Sequence, residues 1–189
     1  MTRVIGGAAG GRRLAVPPGD GTRPTSDRAR EGLFSTLVSL RRTFHGARVL
    51  DLYAGSGAVG LEALSRGAAH TLLVESDAVA GKTVRANIKA VALPGAELRA
   101  VRAERLPAEA PPAEPYDIVF LDPPYALPDA DVATLLTALR EGGWLASEAI
   151  VAAERATRGG TFAWPPGFEE IRSRKYGEAT LWYGRAARA

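Results

Sequence analysis

Residues 49–60 constrain the fold more than any other stretch of the chain. An apolar run, Val49-Leu50-Asp51-Leu52, leads through Tyr53-Ala54 into Gly55-Ser56-Gly57-Ala58-Val59-Gly60. A strand that delivers the chain into a glycine-rich turn, followed by a helix to about Arg66, is the opening of a βαβ unit. The alternation then continues. Residues 71–75 read as a second strand, 77–91 as a helix and 97–102 as a weaker third strand. Residues 117–121 read as a fourth, apolar enough to be buried on both faces. A Pro/Ala loop is expected over 107–115, a helix over 129–141 and a fifth strand over 149–153. Residues 168–175 and 179–184 read as two closing antiparallel strands around a turn at Tyr176-Gly177. The pattern predicts one α/β domain with a mainly parallel sheet covered by helices on both faces.

Upstream, Val4-Ile5 and Leu14-Ala15-Val16 flank the glycine-rich residues 6–11 and predict a β-hairpin carrying Arg3, Arg12 and Arg13. Residues 17–21 read as a linker. Ser26 or Asp27 is placed to cap a helix to about Leu40, with Leu33, Phe34, Leu37 and Leu40 at helical spacing and Gly32 weakening it slightly. The expected division is a basic hairpin and linker over 1–22 and an α/β domain over 23–189. Residues 1–48 carry nine arginines and three acids, whereas the rest carries 15 basic and 18 acidic residues. A basic front end on a mildly acidic body suits a polyanion partner.

The chain has no cysteine, which excludes disulfides, Cys-ligated zinc and thiolate catalysis, including the covalent route to ring-carbon methylation. With only His45 and His70 as imidazoles, no dedicated metal site is expected. A cysteine-free chain fits a reducing cytoplasm, and the N-terminus shows no apolar run of signal-peptide or membrane-span length. Nothing in the sequence requires a dimer, so a monomer is expected.

Gly55, Gly57 and Gly60, with Glu75 at the end of the next strand, match a dinucleotide-binding fingerprint. Asp51 argues for another ligand. A dinucleotide brings an anionic pyrophosphate to this turn, and a carboxylate four residues before the first glycine tends to repel it. S-Adenosyl-L-methionine has no phosphate; its sulfonium and α-amino cations are better placed beside Asp51. The glycines allow close backbone approach, and Glu75 can accept from the ribose hydroxyls of either cofactor.

Asp122-Pro123-Pro124-Tyr125 follows the fourth strand. Carboxyl ends of parallel strands form the ligand crevice, so this loop and the glycine loop should open onto one space. Two prolines fix the backbone and remove two N–H donors. They leave an acceptor-rich lip, the Asp122 carboxylate and the Pro123 carbonyl, with Tyr125 as an aromatic face. An exocyclic amine on a nucleic-acid base presents two N–H donors and a delocalised lone pair. Two acceptors hold both hydrogens and leave the lone pair aimed at a sulfonium methyl. Asp122 can also act as general base. Stacking of the base on Tyr125 contributes roughly 1–3 kcal/mol.

With both motifs in place, the chain resembles the RsmD family, bacterial 16S ribosomal RNA guanine-N2 methyltransferases. The likeness includes Arg3-Val4-Ile5-Gly6-Gly7, Gly11-Arg12-Arg13-Leu14, the segment Arg23-Pro24-Thr25-Ser26-Asp27-Arg28-Ala29-Arg30-Glu31, Leu33-Phe34 and Tyr176-Gly177-Glu178. The resemblance implies a Rossmann-like class I methyltransferase fold with a seven-stranded, mostly parallel sheet, plus the N-terminal hairpin. It implies S-adenosyl-L-methionine as methyl donor and a guanine of 16S rRNA, within the assembling 30S subunit, as target. Asp51, Gly55, Gly57 and Glu75 match cofactor positions, and Tyr53, Ala54, Ser56, Gly60 and Ser76 join them as candidates. Asp122, Pro123, Pro124 and Tyr125 match the base-binding loop, and Arg23, Pro24 and Thr25 would lie near its mouth. An acidic residue after the third strand usually holds the adenine; in Arg102-Ala103-Glu104-Arg105 that is Glu104, or else Glu104 is an exposed helix-start glutamate. The expected RNA contacts are Arg3, Arg12, Arg13, Arg23, Thr25, Arg28 and Arg30, although Arg28 and Arg30 can instead pair with Asp27 or Glu31.

Other readings stay open. DNA adenine-N6 methyltransferases can share Asp-Pro-Pro-Tyr, but sequence-reading ones usually add a recognition domain for which 189 residues leave little room. Methylation of a protein side-chain amide leaves the basic front end without a purpose. A catalytically silent RNA-binding ribosome assembly factor, or a dehydrogenase, would retain the fold with a different use.

Overall fold

The computed structural model describes residues 1–19 and 26–188. It begins with two short strands, β1 (Thr2–Arg3) and β2 (Arg13–Leu14), paired antiparallel with Thr2 opposite Leu14. They lie N-terminal to the expected positions, because Val4 is buried and residues 5–9 bind a helix instead of a strand. The N–H groups of Ile5 and Gly6 donate to the Glu62 carboxylate at 2.7 and 2.9 Å. Ala8 N–H donates to the Ser65 carbonyl and Ala9 N–H to the Ser65 hydroxyl. A Cβ on Gly7, whose φ is +78°, would fall 1.9 Å from the Ser65 carbonyl oxygen, so only glycine permits this approach. Val4, Ala9 and Leu14 join the same buried cluster as Leu33, Leu61 and Val49, so the hairpin shares the body's core.

Helix α1 (Asp27–Arg41) starts where Ser26 caps it, the Ser26 hydroxyl accepting from Ala29 N–H. Gly32 has a packing reason: a Cβ there would meet the Tyr176 hydroxyl at 1.9 Å. The body follows as β3 (Arg48–Leu52), α2 (Ala58–Ser65), β4 (His70–Val74), α3 (Ala78–Val91), β5 (Ala96–Arg99), β6 (Tyr116–Leu121), α4 (Asp129–Glu141), β7 (Leu145–Ala156), β8 (Phe168–Tyr176) and β9 (Ala179–Ala186). The seven body strands form one sheet in the order β5-β4-β3-β6-β7-β9-β8. Strands β3 to β7 pair in parallel, while β9 runs antiparallel to both β7 and β8. Alternate strand residues feed two cores. Val49, Ile118, Phe120, Ile150 and Ala152 face the helices of the N-terminal half. Leu50, Leu52, Val119, Leu121, Val151 and Ala153 face α4 and Trp144.

Boundaries in the body also differ from expectation. β5 ends at Arg99, and Ala103–Ala108 forms a 3-10 turn before the Pro-rich loop. β7 begins at Leu145, which pairs with Tyr116 of β6, and extends to Ala156 because β9 pairs with it as far as Ala156↔Ala179. β9 likewise continues to Ala186. Among the described residues, no helix is long and apolar enough to cross a membrane.

Candidate active site

Strand order reverses between β3 and β6, and there the carboxyl edge of the sheet opens into a cavity of about 1460 Å³. Asp51, one residue before the end of β3, is 1% exposed. One of its oxygens accepts from Gly60 N–H at 2.9 Å; the other is buried without a hydrogen-bond partner among the described residues, and the side chain lines the cavity. Burial pushes its carboxyl up to about 7, the Gly60 N–H pulls it down and Glu75 adds repulsion. Gly60 must be glycine, since a Cβ would come within 2.6 Å of both Leu73 and Thr71 and 3.1 Å of Asp51.

The loop above Asp51 is backbone-strained. Tyr53 is left-handed at φ +59°, an uncommon conformation for a side-chain-bearing residue, and Gly57 caps α2 at φ +82°. Glu75 holds the loop from the next strand, one oxygen accepting from Gly55 N–H at 2.8 Å and the other from Asp77 N–H at 2.9 Å. Tyr53, Ala54, Gly55 and Ser56 line the cavity, as do Glu75 and Ser76. Gly57 and Gly60 lie behind them and shape the turn. Glu104, in the first turn of the 3-10 segment, also lines the cavity and accepts from the Tyr53 hydroxyl at 2.7 Å.

Opposite, Asp122, Pro123, Pro124 and Tyr125 line the same cavity. Pro123 is buried, Asp122 half-buried and Tyr125 41% exposed. Burial raises the Asp122 carboxyl well above the ordinary range, Glu154 and then Asp51 raise it further, and Arg155 opposes them. The loop is braced from β7. Arg155, buried on the opposite sheet face from Asp51, donates to Asp129 at 2.7 Å and to the carbonyls of Pro124 and Leu127.

Sequence reasoning missed Glu154 and Arg155 because it ended the fifth strand at Ala153. The signal available was their place, after an apolar run, at the carboxyl edge of a parallel strand. It also missed Asn87, which ties three segments together. Its amide donates to the Ser56 and Ala15 carbonyls at 2.8 and 2.9 Å, and its oxygen accepts from Ala15 N–H at 2.8 Å. The hairpin's exit is thereby fixed to the glycine loop, and Val16 and Pro17 become part of the cavity wall.

The arginines divide. Arg3, Arg13 and Arg28 are exposed, Arg3 lying 3.8 Å from Asp27. Arg12 is exposed but donates to the Val91 and Ala90 carbonyls at the end of α3. Arg30, for which the sequence left open a phosphate contact or a pairing with Asp27 or Glu31, takes the pairing with Asp27. It is 1% exposed, pairs with Asp27 at 3.2 Å, approaches Glu62 at 3.8 Å and donates to the Arg3 carbonyl. Arg23, Pro24 and Thr25 lie outside the described residues.

A family model described as "Conserved hypothetical protein 95" matches residues 2–185. Ribosomal RNA small subunit methyltransferase D of Escherichia coli (strain K12) is 39% identical over 158 residues, covering 84% of this chain and 76% of that protein. The solved structure of yhhF from Escherichia coli superposes with a TM-score of 0.83 at 33% identity, covering 98% of this chain and 97% of that one. A hypothetical protein of Thermus thermophilus superposes with a TM-score of 0.79 at 32% identity, covering 97% of this chain and 98% of that one.

Proposed function

The chain belongs to the family described as conserved hypothetical protein 95, that of the ribosomal RNA small subunit methyltransferase D enzymes, and on that footing we propose that it methylates the exocyclic N2 amine of a guanine in 16S rRNA, with S-adenosyl-L-methionine as donor and the assembling 30S particle as its setting. The observation that carries the proposal is that Asp51 and the Asp122–Tyr125 loop, on neighbouring strands, open onto one cavity.

The residues present fit the donor. Asp51 offers a buried oxygen with no partner among the described residues, a complement for a cation and a poor neighbour for a phosphate. Gly55 faces open space, with no described atom within 4 Å of where a Cβ would stand. Bound there, S-adenosyl-L-methionine supplies a methyl group on a positively charged sulfur. Glu75 takes the ribose hydroxyls and Glu104 the adenine side.

The chain's own work is to place the amine and accept its proton. A guanine leaves its stack at a cost of a few kcal/mol and lies against Tyr125. The Asp122 carboxylate and the Pro123 carbonyl accept the two amine hydrogens, turning the nitrogen lone pair toward the methyl. Asp122 takes the proton that the amine loses as the N–C bond forms and the C–S electron pair stays on sulfur. The raised Asp122 carboxyl makes it a better proton acceptor than an ordinary aspartate.

The test uses radiolabelled S-adenosyl-L-methionine and small ribosomal subunits from a strain lacking its own such enzyme, followed by identification of the labelled nucleoside. Label in N2-methylguanine from the wild type, lost in Asp122→Ala, supports the proposal. Label in N6-methyladenine points to the DNA-type amine chemistry instead. Cofactor binding with no label on particles or free RNA overturns the ribosomal reading and points to DNA or protein substrates.

A further inference from the structure

Two carboxylates stand side by side at the base-binding end of the cavity. In the parallel pair β6–β7, Leu121 is in register with Ala153, so Asp122, the first residue after β6, follows the strand beside Glu154 of β7. Adjacent strands lie about 4.8 Å apart. Phe120 is likewise in register with Ala152 and with Asp51, so the two-residue period puts Asp51, Asp122 and Glu154 on one sheet face. All three line the cavity. Glu154 is 7% exposed, although the amine chemistry assigned to Asp122 and Pro123 gives it no part.

A buried carboxylate beside the amine-holding acceptors can discriminate bases. Guanine is the base whose exocyclic amine adjoins a ring N–H, at N1. In adenine and cytosine the ring nitrogen next to the amine is an acceptor, which repels a carboxylate lone pair. We propose that Glu154 is the specificity-determining residue, accepting the N1–H of the target guanine while Asp122 and Pro123 hold its N2 amine. This rests on the reading of the site as a guanine-N2 methyltransferase. It makes guanine choice a property of the end of β7, separate from the loop that performs transfer. An adenine presented to the same lip would meet an acceptor facing an acceptor.

The experiment compares the wild type with Glu154→Gln on small subunits rebuilt with 16S rRNA. The RNA carries either guanine or 2-aminopurine at the position that the wild type labels. 2-Aminopurine keeps the N2 amine but turns N1 into an acceptor, and the glutamine amide can offer N1 a donor. The wild type is expected to favour guanine by roughly tenfold to a hundredfold. Glu154→Gln should lose guanine activity by a similar factor and raise its relative use of 2-aminopurine at least about tenfold. S-Adenosylhomocysteine affinity and melting temperature are read alongside.

Equal losses on both bases, or unchanged guanine activity, overturn the proposal. Should Glu154→Gln fail to fold, Glu154→Asp decides. It retains a carboxylate, so it should lose rate yet keep the guanine preference; loss of that preference overturns the role. A wild type that labels a base other than guanine overturns the underlying reading as well, and that failure is visible in the wild-type arm alone.

Discussion

Arg155 Nε donates to a carboxylate oxygen of Asp129 across 2.7 Å, joining the end of β7 to the first turn of α4. The same guanidinium donates to the carbonyls of Pro124 and Leu127, so one buried side chain closes the loop that begins at Asp122. An arginine fork suits this task because its donors are fixed in a plane.

Replacing Arg155 with Met should therefore act on positioning. The expected result is a fall in kcat of roughly tenfold to a hundredfold, with KM for S-adenosyl-L-methionine little changed. Hydrogen exchange over residues 124–129 should quicken. Arg155→Lys should recover part of the rate. A variant that lost cofactor affinity while the loop stayed protected would contradict this role.

The Asp122 carboxyl is raised by burial first and Glu154 second. A general base must be ionised, so activity should be full above the raised pKa and lost as pH falls through it. The acidic limb of kcat/KM should then lie above the ordinary carboxylate range. Asp122→Asn should abolish that limb and lower kcat by about 10²–10⁴. In residual Glu154→Gln activity, the limb should move to lower pH, because a like charge has gone. Rate profiles from about pH 5 to about pH 9 check each point.

The parts of the site legible in sequence are those whose geometry is local. Gly55, Gly57 and Gly60 read correctly as a strand-to-helix turn because adjacent residues set it, and Asp122 to Tyr125 marks its own strand end. Glu154 and Arg155 did not read, because pairing of β7 with the distant β9, Arg155 opposite Thr180, carries the strand past Ala153. Glu62 was equally silent: a glutamate in a helix looks like a solvated face until Ile5 and Gly6 close over it. Gly32 looked like a weakness in α1 until Tyr176, from the far edge of the sheet, filled the space.

Asp51 should trade stability for binding. Its carboxyl is raised to about 7, above its ordinary 3.8, so between these values the folded chain binds more protons than the unfolded one. Stability therefore falls as pH rises through that window and is lowest above it. Asp51→Asn retains an acceptor for Gly60 N–H without the charge. Its melting temperature should exceed wild type by about 4 °C or more above about pH 7.5, and the gain should shrink toward about pH 5. Affinity for S-adenosyl-L-methionine should drop as the complement to its cations is lost. Melting curves across pH, with calorimetric cofactor titration, test both halves.

The arginines separate by what they touch, and salt dependence should report it. Arg13 and Arg28 are exposed, so each is accessible to a phosphate, whereas Arg30 is sealed between Asp27, Glu62 and the Arg3 carbonyl. Each phosphate contact on single-stranded nucleic acid steepens the fall of log binding constant with log salt by about 0.7. Arg13→Ala and Arg28→Ala should each flatten the slope for 16S rRNA by about that amount, with melting unchanged. Arg30→Met should leave the slope alone. It removes one partner of a buried ion pair, which costs roughly 3–5 kcal/mol, and should lower the melting temperature by about 6–20 °C. If Arg30→Met instead flattened the slope and melted like wild type, the guanidinium would have to leave its buried contacts to reach RNA, and the structural assignment of Arg30 would fall.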